Sequence, residues 1–505
     1  MNQCDRQRRA GVLLHLTSLP HYPENGAFCH NAFQFIEFLA AAGFKYWQVL
    51  PMGPVNLGSS PYESLSAHAG NHRFISLKPL TNKGWLPFPS TTVMNEQEQR
   101  LHLNQAWQGF QRQGSSNDHQ AFADFIAEQR HWLEDYALFM ALRQAQDNRP
   151  WTQWPDDLRD RRSIPLQKAR DRLREEIGQI RFEQFCFFCQ WQAVLDYAHS
   201  FGIRLFGDLP LYVSHDSADV WSHRELFMLE ANGEVRCVSG VPPDDFSPTG
   251  QRWGHPLFHW PTMEARGFQW WIERMQTQLK LYDLVRLDHF RGLAACWSIP
   301  AHCQNATGGH WASVPGARLL RALEEHFGPL PVVAEDLGII TEEVTRLREQ
   351  FHLPGMKVLQ FAFNDGPTNP HLPHNHRQQD VVYTGTHDND TSLGWFTSLP
   401  ADPKKRIRTY LGKSREPMPL PLVRAALASV AWLAVIPMQD LLSLGNEARM
   451  NRPGTTRRNW MWQLKDGQLS QELALQYYQL LKQYGRAPNP NHEVHDVLTH
   501  PGRPE

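Results

Sequence analysis

The sequence predicts an α/β chain folded as a (β/α)8 barrel with helical insertions, and three observations carry the prediction. Eight short apolar or β-branched runs recur along the 505 residues. Each ends in a cluster of polar residues, the pattern of strands buried on both faces of a parallel sheet. Stretches with helical periodicity separate several of them, and repeated strand–helix alternation is the sequence form of that barrel. A doubly wound open sheet is the structural alternative, and periodicity alone does not separate the two.

In chain order the runs are residues 11–16, 46–50, 204–208, 284–288, 331–335, 357–361, 381–385 and 434–438. About 150 residues lie between the second and third. Within that gap Phe122, Phe125, Ile126, Leu133, Tyr136, Ala137 and Met140 follow one helical stripe. A helical insertion subdomain is therefore expected at approximately residues 80–190, on a single catalytic barrel spanning residues 1–505. Residues 318–327 form a further helix pattern, which Gly328 and Pro329 stop just before the fifth run. Internal repeats, low-complexity tracts and flexible linkers are not seen, which favours one elaborated domain.

Composition narrows the partners. Fifty Lys and Arg balance 52 Asp and Glu, a formal net charge of −2. That argues against the basic face of a nucleic-acid-binding chain, and no run reaches the roughly five like charges of an interaction tail. The first six residues lack the apolar segment of a secretory signal. No run approaches the length needed to span a bilayer. Seven scattered cysteines fit a reduced, cytoplasmic protein better than a disulfide scaffold. Their one close pair, Cys186 and Cys189, falls on an apolar helical face without a second pair to complete a zinc site. Eighteen Trp, 27 Phe and 12 Tyr accompany a mean hydropathy of −0.51. So many amphipathic rings serve either as core or as stacking platforms for a flat ligand.

In a barrel of this type the chemistry sits at the C-terminal ends of the strands. There the runs deliver Asp208, Asp288, Glu335 and Asp388. Singly, each has a plain explanation as a helix N-cap or the partner of an arginine. Four on separate strands, all at one rim, point instead to chemistry. Arg286 lies two residues before Asp288, so strand alternation puts both side chains on one face, and the arginine favours the ionised carboxylate by charge attraction. Carboxylates facing one another across a gap are the equipment of glycoside chemistry, one as nucleophile or base and the other as acid. His387, Asp388, Asn389 and Asp390 offer a competing metal reading, but no His-x-His or Cys/His set accompanies them. Glycine-rich phosphate loops are missing too. No metal and no cofactor are expected.

Eight segments, in order along almost the whole chain, resemble the amylomaltases, the 4-α-glucanotransferase relatives of the α-amylases. They are Ser59-Ser-Pro-Tyr-Glu-Ser-Leu-Ser-Ala-His-Ala-Gly-Asn71, Gly207-Asp-Leu-Pro-Leu-Tyr-Val213, His215-Asp-Ser-Ala-Asp-Val-Trp221, Gly240-Val-Pro-Pro-Asp-Asp-Phe-Ser-Pro-Thr-Gly-Gln-Arg-Trp-Gly254, Val285-Arg-Leu-Asp-His-Phe-Arg-Gly292, Val333-Ala-Glu-Asp-Leu-Gly338, Thr384-Gly-Thr-His-Asp-Asn-Asp-Thr391 and Glu447-Ala-Arg-Met-Asn-Arg-Pro-Gly454. Each is modest alone, and the ordered set is specific. The resemblance implies that Asp288 is the nucleophile, Glu335 the general acid/base and Asp388 the carboxylate that stabilises the transition state, with His387 and Arg286 beside them. It implies substrate contacts from Tyr62, Trp253 and the loop at 248–254, and further sugar-binding carboxylates in Asp208 and Asp365. Trp395 is a weaker candidate for the sugar.

Two departures stand out. Asp208 is followed by Leu-Pro-Leu-Tyr rather than the Asn-His segment that the α-amylases tie to calcium, which fits amylomaltases and removes the reason to expect that ion. His255 stands where the family pattern has Asn. The first strand is expected about ten residues from Met1, without the long N-terminal extension of some bacterial members.

The implied reaction is a retaining double displacement on maltooligosaccharides and α-1,4-glucans, which places the carboxyls of Asp288 and Glu335 about 5–5.5 Å apart. An α-1,4-glucan hydrolase would use the same carboxylates, and a non-catalytic glucan-binding barrel is the remoter alternative. Transfer over hydrolysis requires that an acceptor sugar reach the intermediate before water does. Trp253 and Tyr62 are the candidates for excluding it.

Overall fold

The computed structural model describes residues 7–488 apart from 25, 56–59, 88–94, 244–246, 413–414 and 456. Parts of two quoted segments, Ser59 and the residues Asp244, Asp245 and Phe246, lie outside the described residues. Twelve strands are present among those described: β1 (Arg9–Leu13), β2 (Tyr46–Gln48), β3 (Arg204–Leu209), β4 (Cys237–Val241), β5 (Gln251–Pro256), β6 (Leu284–Leu287), β7 (Ala295–Pro300), β8 (His310–Ser313), β9 (Val332–Ala334), β10 (Met356–Val358), β11 (Val381–Tyr383) and β12 (Leu433–Pro437). Eight of them form one sheet in the order β10-β11-β12-β1-β2-β3-β6-β9. Every pairing in it is parallel. The two ends meet where Ala334 bridges Gly355 and its N–H reaches Pro354 O at 2.8 Å. The sheet is thus the nearly closed barrel of a (β/α)8 fold, and the open doubly wound alternative is excluded.

Alternation along these short strands sorts side chains to two sides. Leu13, Tyr46, Phe206, Leu284, Val333, Val358, Val381 and Val435 form the barrel interior. Val12, Trp47, Leu205, Val285, Val332, Val382 and Ile436 pack outward against the helices. Two residues further along the inward rows stand Asp208, Arg286 and Glu335, and two beyond Arg286 stands Asp288. The carboxylates therefore cap the same rows that fill the barrel. Gly207 lies between two inward residues, and a Cβ there would meet the Tyr282 ring at 2.2 Å. Its lack of a side chain lets β3 lie close enough to present Asp208.

Several strands are shorter than the apolar runs that announced them. The run at 11–16 leaves the sheet after Leu13 and continues into a 3-10 turn at Leu16–Ser18. The run at 357–361 ends its strand at Val358, whose N–H is taken by His371 Nδ1 at 3.1 Å instead of a neighbouring strand. Apolar composition persists past each strand because the turns are buried too.

Between β2 and β3 the chain is helical, with helices Glu96–Gln113, Ser116–Glu128, Arg130–Ala145, Ser163–Arg172 and Arg174–Ser200. Asn95 with Glu98 and Ser115 with Asp118 form capping boxes that satisfy the first amides of two of them. The apolar stripe from Phe122 to Met140 is divided between two helices that meet at Gln129. Aromatic rings pack these helices together: Phe110 lies 4.9 Å from Trp85 and 5.1 Å from Phe182. The helix Arg174–Ser200 reaches the barrel, where Trp191 Nε1 donates to Leu281 O (2.9 Å) and the Tyr197 hydroxyl donates to Glu37 (2.7 Å). Cys186 is buried on this helix and Cys189 is exposed.

The sequence did not announce a second sheet, antiparallel in the order β5-β4-β7-β8. Its strands come from the connections after β3 and after β6, and Val238, Ile299 and Ala306 give it a small core of its own. One expectation changes as a result. Trp253 and His255 lie on strand β5 rather than in a loop, in the bulge between Arg252 and Pro256, the two residues that pair with Gly240 and Val238 of β4.

Candidate active site

Asp208 and Arg286 face each other directly across the β3–β6 ladder. Arg286 Nη1 reaches both Asp208 oxygens at 2.8 and 2.7 Å, and Nη2 reaches Asp288 Oδ1 at 2.8 Å. Both partners of the first pair are buried, whereas the Asp288 side chain is 27% exposed. Burial opposes the Arg286 charge, but Asp208 and Asp288 outweigh it and hold the guanidinium protonated. Burial likewise pushes the Asp208 carboxyl upward, against the pull of Arg286.

From Asp208 a hydrogen-bonded chain crosses the barrel mouth. The Tyr62 hydroxyl donates to Asp208 Oδ2 at 2.7 Å. Its oxygen is then the acceptor for His387 Nε2–H at 3.0 Å, and the two rings stack at 5.4 Å. Burial and the adjacent Asp208 raise the Tyr62 hydroxyl well above its ordinary value, so it remains a donor. The same His387 nitrogen lies 3.4 Å from Asp388 Oδ1. Asn451 Nδ2 donates to that oxygen at 2.7 Å, and Arg449 Nη2 donates to the Asp388 carbonyl at 2.8 Å. One continuous line of polar contacts therefore joins Asp288, Arg286, Asp208, Tyr62, His387 and Asp388.

Glu335 stands immediately after β9 and is 9% exposed. Its Oε2 accepts the His289 N–H at 2.7 Å and its Oε1 the Leu337 N–H at 3.0 Å. His289 follows Asp288 in the left-handed region, with φ 52°. That conformation is uncommon for a residue with a side chain. Here it directs the main chain after Asp288 toward Glu335, whose own carbonyl accepts from Phe290 N at 3.1 Å. The two carboxylates are thus tied through one turn. Burial, reinforced by the Asp288 charge, pushes the Glu335 carboxyl up to about 8, against the pull of Arg286 and of its two amide donors. It carries a proton at neutral pH.

Trp253 lies beside this turn, edge-on to the His289 ring at 4.7 Å and 6.3 Å from Tyr212. Burial holds His289 neutral, down to about 4, and does the same to His255. Trp460 completes the far wall, 6.4 Å from Tyr62 and 5.9 Å from His387. Asn451, His289 and Trp460 were not singled out from the sequence. Asn451 sits inside the quoted segment at 447–454, and His289 directly follows Asp288, so adjacency was the one available signal. Trp460 carried none.

Two candidates lie apart from this cluster. Asp365 is exposed beyond β10 and accepts from Asn369 at 3.3 Å. Trp395 sits half-buried on the helix Ser392–Ser398, 6.3 Å from Phe363. Among the described residues no group of three or more His, Cys, Asp or Glu side chains is arranged to hold a metal ion. No described helix is long and apolar enough to cross a membrane.

A family model described as 4-alpha-glucanotransferase matches residues 14–470. A 4-alpha-glucanotransferase of Thermus thermophilus is 47% identical over 481 residues, covering 92% of this chain and 96% of that one. One from a Synechocystis strain is 44% identical and covers 95% and 98%. Among solved structures, an amylomaltase from Streptococcus agalactiae in complex with acarbose superposes with a TM-score of 0.92 at 34% identity, covering 95% and 100%. A Corynebacterium glutamicum amylomaltase, at 19% identity and a TM-score of 0.75 over 95% and 75%, shares the fold. With the family model spanning the chain from the end of strand β1 to beyond Trp460, the chain belongs to the 4-α-glucanotransferase family.

Proposed function

We propose that the chain moves segments of α-1,4-glucan from a donor maltodextrin to the 4-hydroxyl of an acceptor glucan or glucose. The observation that carries this reading is the pairing of a protonated, buried Glu335 with an arginine-bound Asp288, tied together through His289. An acid and a nucleophile in different environments are what a retaining glycosyl transfer needs.

In the first half-reaction an Asp288 oxygen bonds to the anomeric carbon as the glycosidic C–O bond breaks. The Glu335 proton goes to the departing 4-oxygen. In the second, Glu335 takes the proton from the 4-hydroxyl of the acceptor, whose oxygen bonds to the anomeric carbon while the Asp288 ester breaks. Asp388, held by Asn451 and His387, faces the positive charge that develops on the sugar ring. Arg286, Asp208, Tyr62 and His387 orient the bound sugar, and Asp365 contributes a contact at the rim. Productive geometry requires the two catalytic carboxyls about 5–5.5 Å apart. Trp253, edge-on to the His289 ring, shields the glucosyl ester from water so that the acceptor sugar captures it. No metal or cofactor enters these steps.

The barrel from residue 1 to 505 acts as one catalytic unit with the helical region near 80–190 as a subdomain. The scattered cysteines, free where described, support a cytoplasmic site of action. Maltotriose followed by chromatography tests the activity. The expected products are glucose and a ladder of longer oligomers. Glucose and maltose alone would establish a hydrolase instead, and unchanged maltotriose would establish a glucan binder.

A further inference from the structure

Asp388 and His387 lie on the segment between β11 and the helix Ser392–Ser398. A cavity of about 30 Å³ lies behind it, lined in part by His15, His387, Asn389 and Asp440. The segment is also held by hydrogen bonds at both of its ends.

Those bonds converge on one buried carboxylate. Asp440 follows β12 on the short helix Met438–Leu441 and is 1% exposed. Its Oδ2 accepts the hydroxyls of Thr384 and Ser392, each at 2.6 Å, and its Oδ1 accepts the Ser392 N–H at 2.8 Å. Thr384 is the residue after β11, and Ser392 opens the helix on the other side of the loop. One side chain thus holds both ends of the segment that carries Asp388. Gln360 adds a second link, donating to the Asp390 carbonyl at 2.9 Å. The chain leaving Asp440 also supplies Arg449 and Asn451, which grip the Asp388 carbonyl and carboxylate.

We propose that Asp440 is a positioning residue for the transfer reaction, fixing the two ends of the loop so that the Asp388 carboxylate meets the transition state. The inference rests on the role given above to Asp388. Asp440 bonds to Thr384 and Ser392 and not to Asp388 itself, so it acts through the loop. A shift of about 1 Å in such a group can cost on the order of a hundredfold in rate.

Asp440→Asn keeps the volume and one acceptor but removes the second oxygen that two hydroxyls share. Its kcat in maltotriose disproportionation is expected to fall about ten- to a hundredfold, with KM changed less than about threefold and thermal unfolding still cooperative. The discriminating readout is a double-mutant cycle with Asp388→Asn, assayed with an α-glucosyl fluoride donor. If Asp440 works through Asp388, adding Asp440→Asn to Asp388→Asn costs less than about twofold more. Multiplicative losses, or an unchanged kcat in folded Asp440→Asn, would overturn the inference. Should Asp440→Asn fail to fold, Thr384→Val opens one end of the clamp and is read in the same cycle with the same two outcomes. Full turnover by Asp388→Asn would instead overturn the role of Asp388 itself, a separately visible result.

Discussion

Glu335 owes its proton to burial and to the neighbouring Asp288 charge, two effects acting in one direction. The consequence for pH follows from the sign of the shift. With its carboxyl raised to about 8, Glu335 is protonated below that pH and loses the proton as pH rises through it. The expected kcat/KM for maltotriose therefore falls on the alkaline side with a midpoint near that value. Glu335→Gln should remove this limb and lower turnover by about 10²–10⁴-fold. A limb that persists in the glutamine variant would assign it to another group. At this scale the sequence was readable where function sits on strand alternation, as with Arg286 and Asp288. It was silent where the partner arrives from far along the chain. Asn451 meets Asp388 across 63 residues, and its place in the segment at 447–454 does not say which residue it meets. His289 contributes a main-chain N–H, which no side-chain pattern records. Asp365, carried over by resemblance, is exposed and bonds to Asn369 rather than to the hydrogen-bonded line.

At the scale of elements, the eight barrel strands were legible because each is largely buried and reads as a short, mostly apolar run. The second sheet was not. Strand β5 contains Gln251, Arg252, Trp253, Gly254 and His255, half-exposed and mixed in character, so it resembles a loop in composition while pairing with β4. Its place changes the meaning of Trp253. In the bulge between Arg252 and Pro256 it stands edge-on to the His289 ring, beside the turn where the proposed glucosyl ester would form. Trp253→Ala should raise the ratio of free glucose released to oligomers formed from maltotriose, by opening a path for water. An unchanged ratio, with transfer otherwise intact, would remove Trp253 from that role.

For the whole molecule, the abundance of tryptophan divides between structure and site. Trp47, Trp151, Trp191, Trp221 and Trp271 are among the most deeply buried side chains. Several use the indole N–H to tie segments together, as Trp47 does to Leu14 O at 2.8 Å and Trp151 to His215 O at 2.7 Å. Trp253 and Trp460 are the ones that reach the polar cluster. Near-neutral charge suits an uncharged polymer that needs no electrostatic steering. The defining event of the proposed reaction is a bond between Asp288 and a sugar. Incubating Glu335→Gln with an α-glucosyl fluoride donor tests that event most directly. Fluoride departs without an acid, whereas release of the ester needs the missing base. Mass spectrometry of the digested protein should show one glucosyl unit on the peptide that contains Asp288, lost in the Asp288→Asn double variant. A glucosyl unit on a different carboxylate, or full transfer by Asp288→Asn, would contradict the account.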